Sequence, residues 1–154
     1  MVEAKYLGYL ESLGKAMGLS LKYDENNVCE IIVNSNDVVD VVANSEDHNL
    51  ILSTVIAPDL PDPVSYSVVI DLMDLALGPV LTRGGNCPVV GRDPETGMLV
   101  LYQVCTESYL DEGSVYEIFM DFFKFKLSLS QHIEKNASAV SKDNSNKSAG
   151  IINA

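Results

Sequence analysis

The chain has 154 residues, of which 47% are hydrophobic, and its 22 acidic and 10 basic side chains give a formal net charge of −12. This length and apolar content predict one globular domain and exclude an intrinsically disordered chain. The negative charge disfavours nucleic acid and anionic membrane surfaces as partners, and no apolar run is long enough to span a membrane.

The first predicted helix covers Ala4–Met17 and ends at Gly18, a residue suited to a C-terminal stop. Its apolar face follows helical spacing through Tyr6, Leu10, Leu13 and Met17, with Leu7 beside them. Gly8 and Gly14 each weaken the helix by roughly 1 kcal/mol relative to Ala, which leaves open a close neighbour or a marginal helix. Because no basic region precedes a continuous apolar block, we predict no signal peptide and expect the cytoplasm.

Four strand-like runs follow the first helix. A short one is predicted at residues 19–23, and three longer ones cover residues 28–33, 38–43 and 50–56. Turn-rich connections of a few residues join the longer runs. Short connections favour antiparallel neighbours, so we predict a meander.

Alternation along these strands separates two faces, and both are apolar. The face assigned to the helices contains Cys29, Ile31, Val33, Val39, Val41, Leu50, Leu52 and Ile56. The opposite face contains Val28, Glu30, Ile32, Val38, Asp40, Val42, Ile51, Ser53 and Val55. A solvent-facing sheet surface should be polar, so either a second layer covers this face or an apolar chain docks on it.

A second helix is predicted over residues 64–77, after the proline-rich link of residues 57–63 and before Gly78 and Pro79. Nearly two apolar stripes run along it, where a surface helix usually needs one. The helix is therefore buried inside its own domain, or one stripe contacts a second copy of the chain. We predict the second arrangement, a homodimer in which Val68, Leu72 and Leu75 meet the symmetry mate.

The C-terminal half is predicted to add two strands and a helix. Residues 80–87 are a loop or a short edge strand, and residues 88–91 and 98–105 form a hairpin. The last helix covers residues 114–131 and begins with a capping box between Ser114 and Glu117. Residues 1–134 then form one α+β domain, a small antiparallel sheet with three helices in the order α-βββ-α-ββ-α, and residues 135–154 form a flexible tail.

No pattern in the sequence predicts a catalytic, metal or cofactor site. His48 and His132 have no partner at metal-ligand spacing, and we expect both to be solvated. Cys29, Cys87 and Cys105 are odd in number and far apart, which favours reduced, buried thiols. We therefore expect no cofactor and no enzymatic activity.

The order of elements on a small acidic chain resembles the class I type III secretion chaperones, the Tir-chaperone family. Four stretches contribute to the resemblance: LGKAMGLSLKYDENNVCEIIV, the LPDP link, DPETGMLVLYQV and YLDEGSVYEIFMDFF. The resemblance covers residues 5–134. The long segment at residues 80–88 departs from the family pattern, as does the lack of Trp in the last helix.

The resemblance implies a cytosolic homodimer without ATPase activity that holds the N-terminal segment of a secreted effector in extended form. It also implies presentation of that effector to the ATPase of the secretion apparatus. On the residues themselves, we expect the client to lie across the outer sheet face and the first helix, on Leu7, Val28, Ile32, Val38, Val42, Ile51 and Val55. A small acidic adaptor that binds one folded partner is the alternative.

Overall fold

The computed structural model of the chain describes residues 2–60, 64–77 and 86–148, with side chains through residue 136. Its elements are α1 (Ala4–Met17), β1 (Val28–Asn34), β2 (Asp37–Asn44), β3 (Asn49–Ala57), α2 (Tyr66–Ala76), β4 (Val89–Arg92), β5 (Leu99–Thr106), α3 (Glu107–Glu112) and α4 (Val115–Ser148). The strands form one antiparallel sheet in the order β1-β2-β3-β5-β4. The predicted α+β class and the meander are confirmed, and the described residues form four helices where three were predicted.

The two faces of the sheet follow the predicted alternation. Residues of β1, β2, β3 and β5 that point to the helices are almost fully buried, including Ile31, Val39, Val41, Leu50, Leu52 and Leu101. They pack with Leu10 and Leu13 of α1 and with Phe119 and Phe122 of α4. The core therefore lies between one face of the sheet and these two long helices, and the other face is left outside it.

Residues 19–23 do not form the predicted strand, which is a correction. Their backbone lies beside α1: the Leu19 amide donates to the Gly14 carbonyl at 2.8 Å. A Cβ on Gly14 would come within 2.7 Å of the Leu19 carbonyl oxygen, so a close neighbour accounts for that glycine. Gly8 has no such neighbour, while Gly18 ends α1 in the left-handed region with φ 71°.

The helices depart from the prediction in two places. The short helix α3 was missed because six residues are too few to show a periodic pattern. Helix α4 begins as predicted, with the Glu117 amide donating to Ser114 Oγ at 3.4 Å, but it continues to Ser148 instead of ending at residue 131. Ile133 is buried and Asn136 Oδ1 accepts from Ser67 Oγ at 3.5 Å, so packing extends past residue 134.

Part of the prediction lies outside the described residues. This applies to the last three residues of the proline-rich link, to the stop at Gly78 and Pro79, and to residues 80–85. The hairpin that follows is confirmed. At its turn, Asp93 accepts from the Thr96 hydroxyl at 2.6 Å, and Gly97 has φ 80°.

Candidate protein-docking surfaces

The strand register arranges the side chains of the outer sheet face in three rows that cross the strands. The first aliphatic row contains Val28, Val42, Ile51 and Val104. A polar row follows, with Glu30, Asp40, Ser53 and Tyr102. The second aliphatic row contains the pairs Ile32–Val38 and Val55–Val100. The outer face is thus a polar strip between two aliphatic strips.

The second aliphatic row is open to solvent in the isolated chain. Ile32 is 63% exposed, Val55 48% and Val38 37%, whereas the first row is half-buried. No element among the described residues covers this face. A second layer of the same chain is thus not found there, and docking by another chain stays a prediction for Val28, Ile32, Val38, Val42, Ile51 and Val55.

The polar row places two acids directly opposite each other. Glu30 on β1 pairs in register with Asp40 on β2. Partial burial and the negative charge of Glu30 raise the pKa of Asp40 above its usual range. Like charges opposite one another in an antiparallel pair are destabilising, so this pair lowers the stability of the isolated chain.

A second apolar surface lies beside α1. Residues 19–25 and α1 line an open groove of about 840 Å³, whose apolar side chains include Leu7, Leu10, Leu19, Leu21 and Tyr23. Leu7, the remaining residue predicted to bind a client, is 49% exposed at this groove. The structure therefore places Leu7 beside a different apolar surface from the sheet residues grouped with it.

A polar network fastens α1 to the short helix α3. Lys5 Nζ donates to Glu107 Oε2 and Asp111 Oδ2, both at 2.9 Å, and the hydroxyls of Tyr6 and Tyr9 donate to the same two carboxylates. These bonds lower the pKa of Glu107 and Asp111. The sequence analysis missed this network. The spacing of four residues between Lys5 and Tyr9, and between Glu107 and Asp111, places each pair on one helix face.

Helix α2 offers a third apolar surface, and its orientation removes Val68 from the predicted interface. Val68 is only 1% exposed because it packs into the chain's own core, so it is not available to a second copy. Leu72 and Leu75 are half-buried against the same core. The exposed apolar side chains of this region include Tyr66, Met73 and Leu77. Met73 also lines a groove of about 250 Å³ together with Leu72, Val90 and Leu99.

The two histidines are exposed, as expected, but each has an acidic neighbour. His132 Nε2 lies 2.6 Å from Asp71 Oδ2 and links α4 to α2, while His48 Nδ1 lies 3.7 Å from Glu107 Oε1. Within the described ranges, no group of three His, Cys, Asp or Glu side chains is placed to hold a metal ion. Cys29 and Cys105 are buried free thiols, and burial raises the pKa of Cys105 to about 12.

Comparison with known proteins gives a family match and structural neighbours. A model of the Tir chaperone protein (CesT) family matches residues 8–124. No curated protein sequence matches the chain. A chain of the HopA1–SchA chaperone–effector complex superposes with a TM-score of 0.63 at 19% identity, over 85% of this chain and 94% of that one.

Two further solved structures show the same fold. One is the Yersinia pestis type III secretion chaperone SycH in complex with a fragment of YscM2, with a TM-score of 0.63, 13% identity, and 80% and 98% of the two chains covered. The other is the ExoT–SpcS complex from Pseudomonas aeruginosa, with a TM-score of 0.56, 17% identity, and 85% and 98% covered. At these identities the likeness concerns the fold.

Proposed function

The chain belongs to the Tir chaperone protein (CesT) family, and on that premise we propose that it is a type III secretion chaperone. It binds the N-terminal region of one or more secreted effectors in extended form, keeps them soluble and delivers them to the ATPase of the export apparatus. The site of action is the cytoplasm. The observation that carries the proposal is an outer sheet face with aliphatic side chains that the described part of the chain leaves uncovered.

Burial of the exposed side chains of the second aliphatic row does not supply enough free energy for a stable client complex. Fully burying a Val or Ile side chain is worth roughly 1.5–3 kcal/mol, so completing the burial of Ile32, Val38 and Val55 yields roughly 2–4 kcal/mol. A micromolar complex needs about 8 kcal/mol after the costs of association and ordering. We therefore expect a client to contact the half-buried first aliphatic row as well, and to use the groove beside α1, where Leu7 and Leu19 are exposed.

The charge distribution supports a basic client. Eleven acids and no Lys or Arg occur between residues 23 and 82. Such a field speeds the encounter with a basic segment and repels nucleic acid.

No described helix is both long enough and apolar enough to cross a membrane. The structural neighbours SchA and SpcS, which are recorded in complexes with HopA1 and ExoT, support an effector as the client class.

We also propose that the chaperone is a homodimer that pairs through the exposed side of α2, where Met73 is 62% exposed. Light scattering at micromolar concentration should give twice the chain mass, and Met73→Asp should give the monomer because a charge would enter a desolvated contact. Ser12→Asp, which adds the same charge at an exposed position of α1, is the control. A monomeric wild type would contradict the dimer.

Co-expression with the secreted protein encoded next to the chaperone gene tests the function. We expect a soluble complex whose client segment stays sensitive to protease, as an extended chain does. Ile32→Asp and Val42→Asp should abolish co-purification with unchanged circular dichroism, whereas Ser35→Asp in the β1–β2 turn should retain it. A protease-resistant, folded partner would favour the adaptor alternative.

We place residues 135–154 outside the client-binding unit, although α4 continues to Ser148. The described side chains that anchor its end are Ile133 and Asn136. A chain truncated after residue 136 should therefore melt within a few degrees of the full chain and should still bind its client. A fall of ten degrees or more would show that the tail packs.

A further inference from the structure

Within the part of the chain that the structure describes, the acid pair at the centre of the outer face forms no ion pair with a Lys or Arg. Among the described residues, the side-chain carboxylates of Glu30 and Asp40 have no hydrogen-bond or ion-pair partner, and the charged groups of Lys5, Arg92 and Lys126 each pair with another carboxylate. The pair points outward, because the residues that flank Glu30 along β1 point to the core. Two carboxylates without an ion-pair partner thus lie between the two aliphatic rows of the proposed docking surface.

The spacing of the three rows matches an extended chain. Val28, Glu30 and Ile32 alternate along β1, and Val42, Asp40 and Val38 lie opposite them on β2. Residues two apart in a strand are about 6.8 Å apart. An extended segment that runs along β1 and β2 presents its own alternate side chains at the same interval, so three successive side chains on one side meet the three rows in turn.

We propose that the outer face selects client segments in which a Lys or Arg lies two residues from an aliphatic residue on each side. The aliphatic side chains contact the Val28–Val42 and Ile32–Val38 pairs, and the cation lies between Glu30 and Asp40. This inference rests on the proposed chaperone function and specifies the client chemistry at that surface.

The electrostatics favour a cation over a neutral side chain at the central position. Docking removes water from the polar row, which strengthens the repulsion between the two carboxylates unless a positive charge enters with the client. Burial and Glu30 already raise the pKa of Asp40 in the free chain. An aliphatic side chain at this position would desolvate the acids without replacing their hydration, so charge complementarity commits the surface to a basic client.

Synthetic peptides test the inference without a known effector. Three 15-residue peptides carry Val-Ser-X-Ser-Val at the centre, with X as Lys, norleucine or Glu, in one neutral flanking sequence. Each is titrated into the full-length chain at low salt, and the amide shifts of β1 and β2 in NMR spectra give the Kd. For the wild type, we expect the Lys peptide to bind about five- to tenfold tighter than the norleucine peptide and the Glu peptide to bind weakest.

Two matched variants test whether Glu30 and Asp40 cause the preference for the Lys peptide. Glu30→Gln/Asp40→Asn should reduce the ratio between Lys and norleucine to below about twofold. Glu95→Gln/Glu112→Gln, exposed acids away from the outer face, removes the same charge and should leave the ratio unchanged. Thermal melts should show that both variants are folded, since the first only removes a repulsion.

The outcomes separate this inference from the chaperone function. Equal Kd values for Lys and norleucine, a preference that survives in Glu30→Gln/Asp40→Asn, or an equal loss in the control variant would each overturn it. If all peptides bind equally and Ile32→Asp abolishes that binding, the docking surface stands and only the selection of a cation is wrong. Absence of binding by every peptide also overturns the inference, and the co-purification test then decides the function independently.

Discussion

The inner and outer faces of the sheet are built from the same aliphatic residues and have opposite surroundings. Ile31 is 1% exposed and its neighbour Ile32 is 63% exposed, although they are the same residue one position apart. Helices α1 and α4 cover the first, and no described element covers the second. The comparison shows that aliphatic composition predicts a contact surface on both faces. Only the packing of the helices shows which face contacts the chain's own core.

The largest expected effect separates the two faces directly. Ile31→Ala should lower the free energy of unfolding by about 3–4 kcal/mol, because it removes buried methyl groups and leaves a cavity. Ile32→Ala should change it by less than about 1 kcal/mol, since the side chain is mostly solvated, while weakening client binding. Urea denaturation measures both. Similar losses of stability would show that the outer face is covered in the folded protein.

The next effect concerns how α4 is held on the inner face. Lys126 of α4 pairs with Asp37 at the start of β2, and both side chains are largely buried. Asp37→Asn would leave the ammonium unpaired, so we expect a loss of about 2–3 kcal/mol, below the 3–5 kcal/mol of a fully buried pair. Lys124→Met, an exposed lysine two positions earlier, is the control and should cost little. Equal costs in urea denaturation would contradict the role of the pair.

A smaller effect should appear in the pH dependence of stability, through the polar network that fastens α1 to α3. The lowered pKa of Glu107 and Asp111 means that their contribution is present above about pH 4, near their unfolded pKa values, and is lost as the pH falls through the folded ones. Lys5→Met should therefore lower Tm at pH 7 and less so at about pH 3. The control Lys15→Met should lower Tm only slightly, and by the same amount at both pH values. A loss for Lys5→Met that does not depend on pH would indicate packing instead.

The smallest effect has the opposite sign and belongs to the outer face. A raised pKa means that folded Asp40 holds its proton more tightly than the unfolded chain does. Its favourable contribution is therefore present at low pH and is lost as the pH rises through the folded pKa. At pH 7, Asp40→Asn should stabilise the chain by about 0.5 kcal/mol by removing a like-charge pair. Destabilisation in a thermal melt at pH 7 would point to a hidden partner for this carboxylate.

The sequence predicts the strands well because alternation is a local property. The three long strands, their antiparallel order and the residues that face the core agree with the structure to within one or two positions. The segment at residues 19–23 has strand-like composition, but a strand also needs a partner, and the close approach to Gly14 gives this segment a helix as its neighbour.

Three further features could not be predicted because they depend on contacts distant in the chain. Two apolar stripes are visible on α2, yet only the folded chain shows that Val68 belongs to the inner one. The partners of Lys5 lie more than 100 residues away. The alternation of Val28, Glu30 and Ile32 could be read locally, whereas the pairing of Glu30 with Asp40 depends on the register.

The polar row also affects the self-association of the chaperone while no client is bound. Stacking of two outer faces would bury aliphatic surface, but it would bring four carboxylates, Glu30 and Asp40 from each copy, into one dry interface. The cost of desolvating like charges opposes that stacking. Free chaperone can thus stay dispersed with its aliphatic docking surface exposed. Acidic pH, which protonates these carboxylates and removes the cost of burying their charge, should be the condition under which it self-associates.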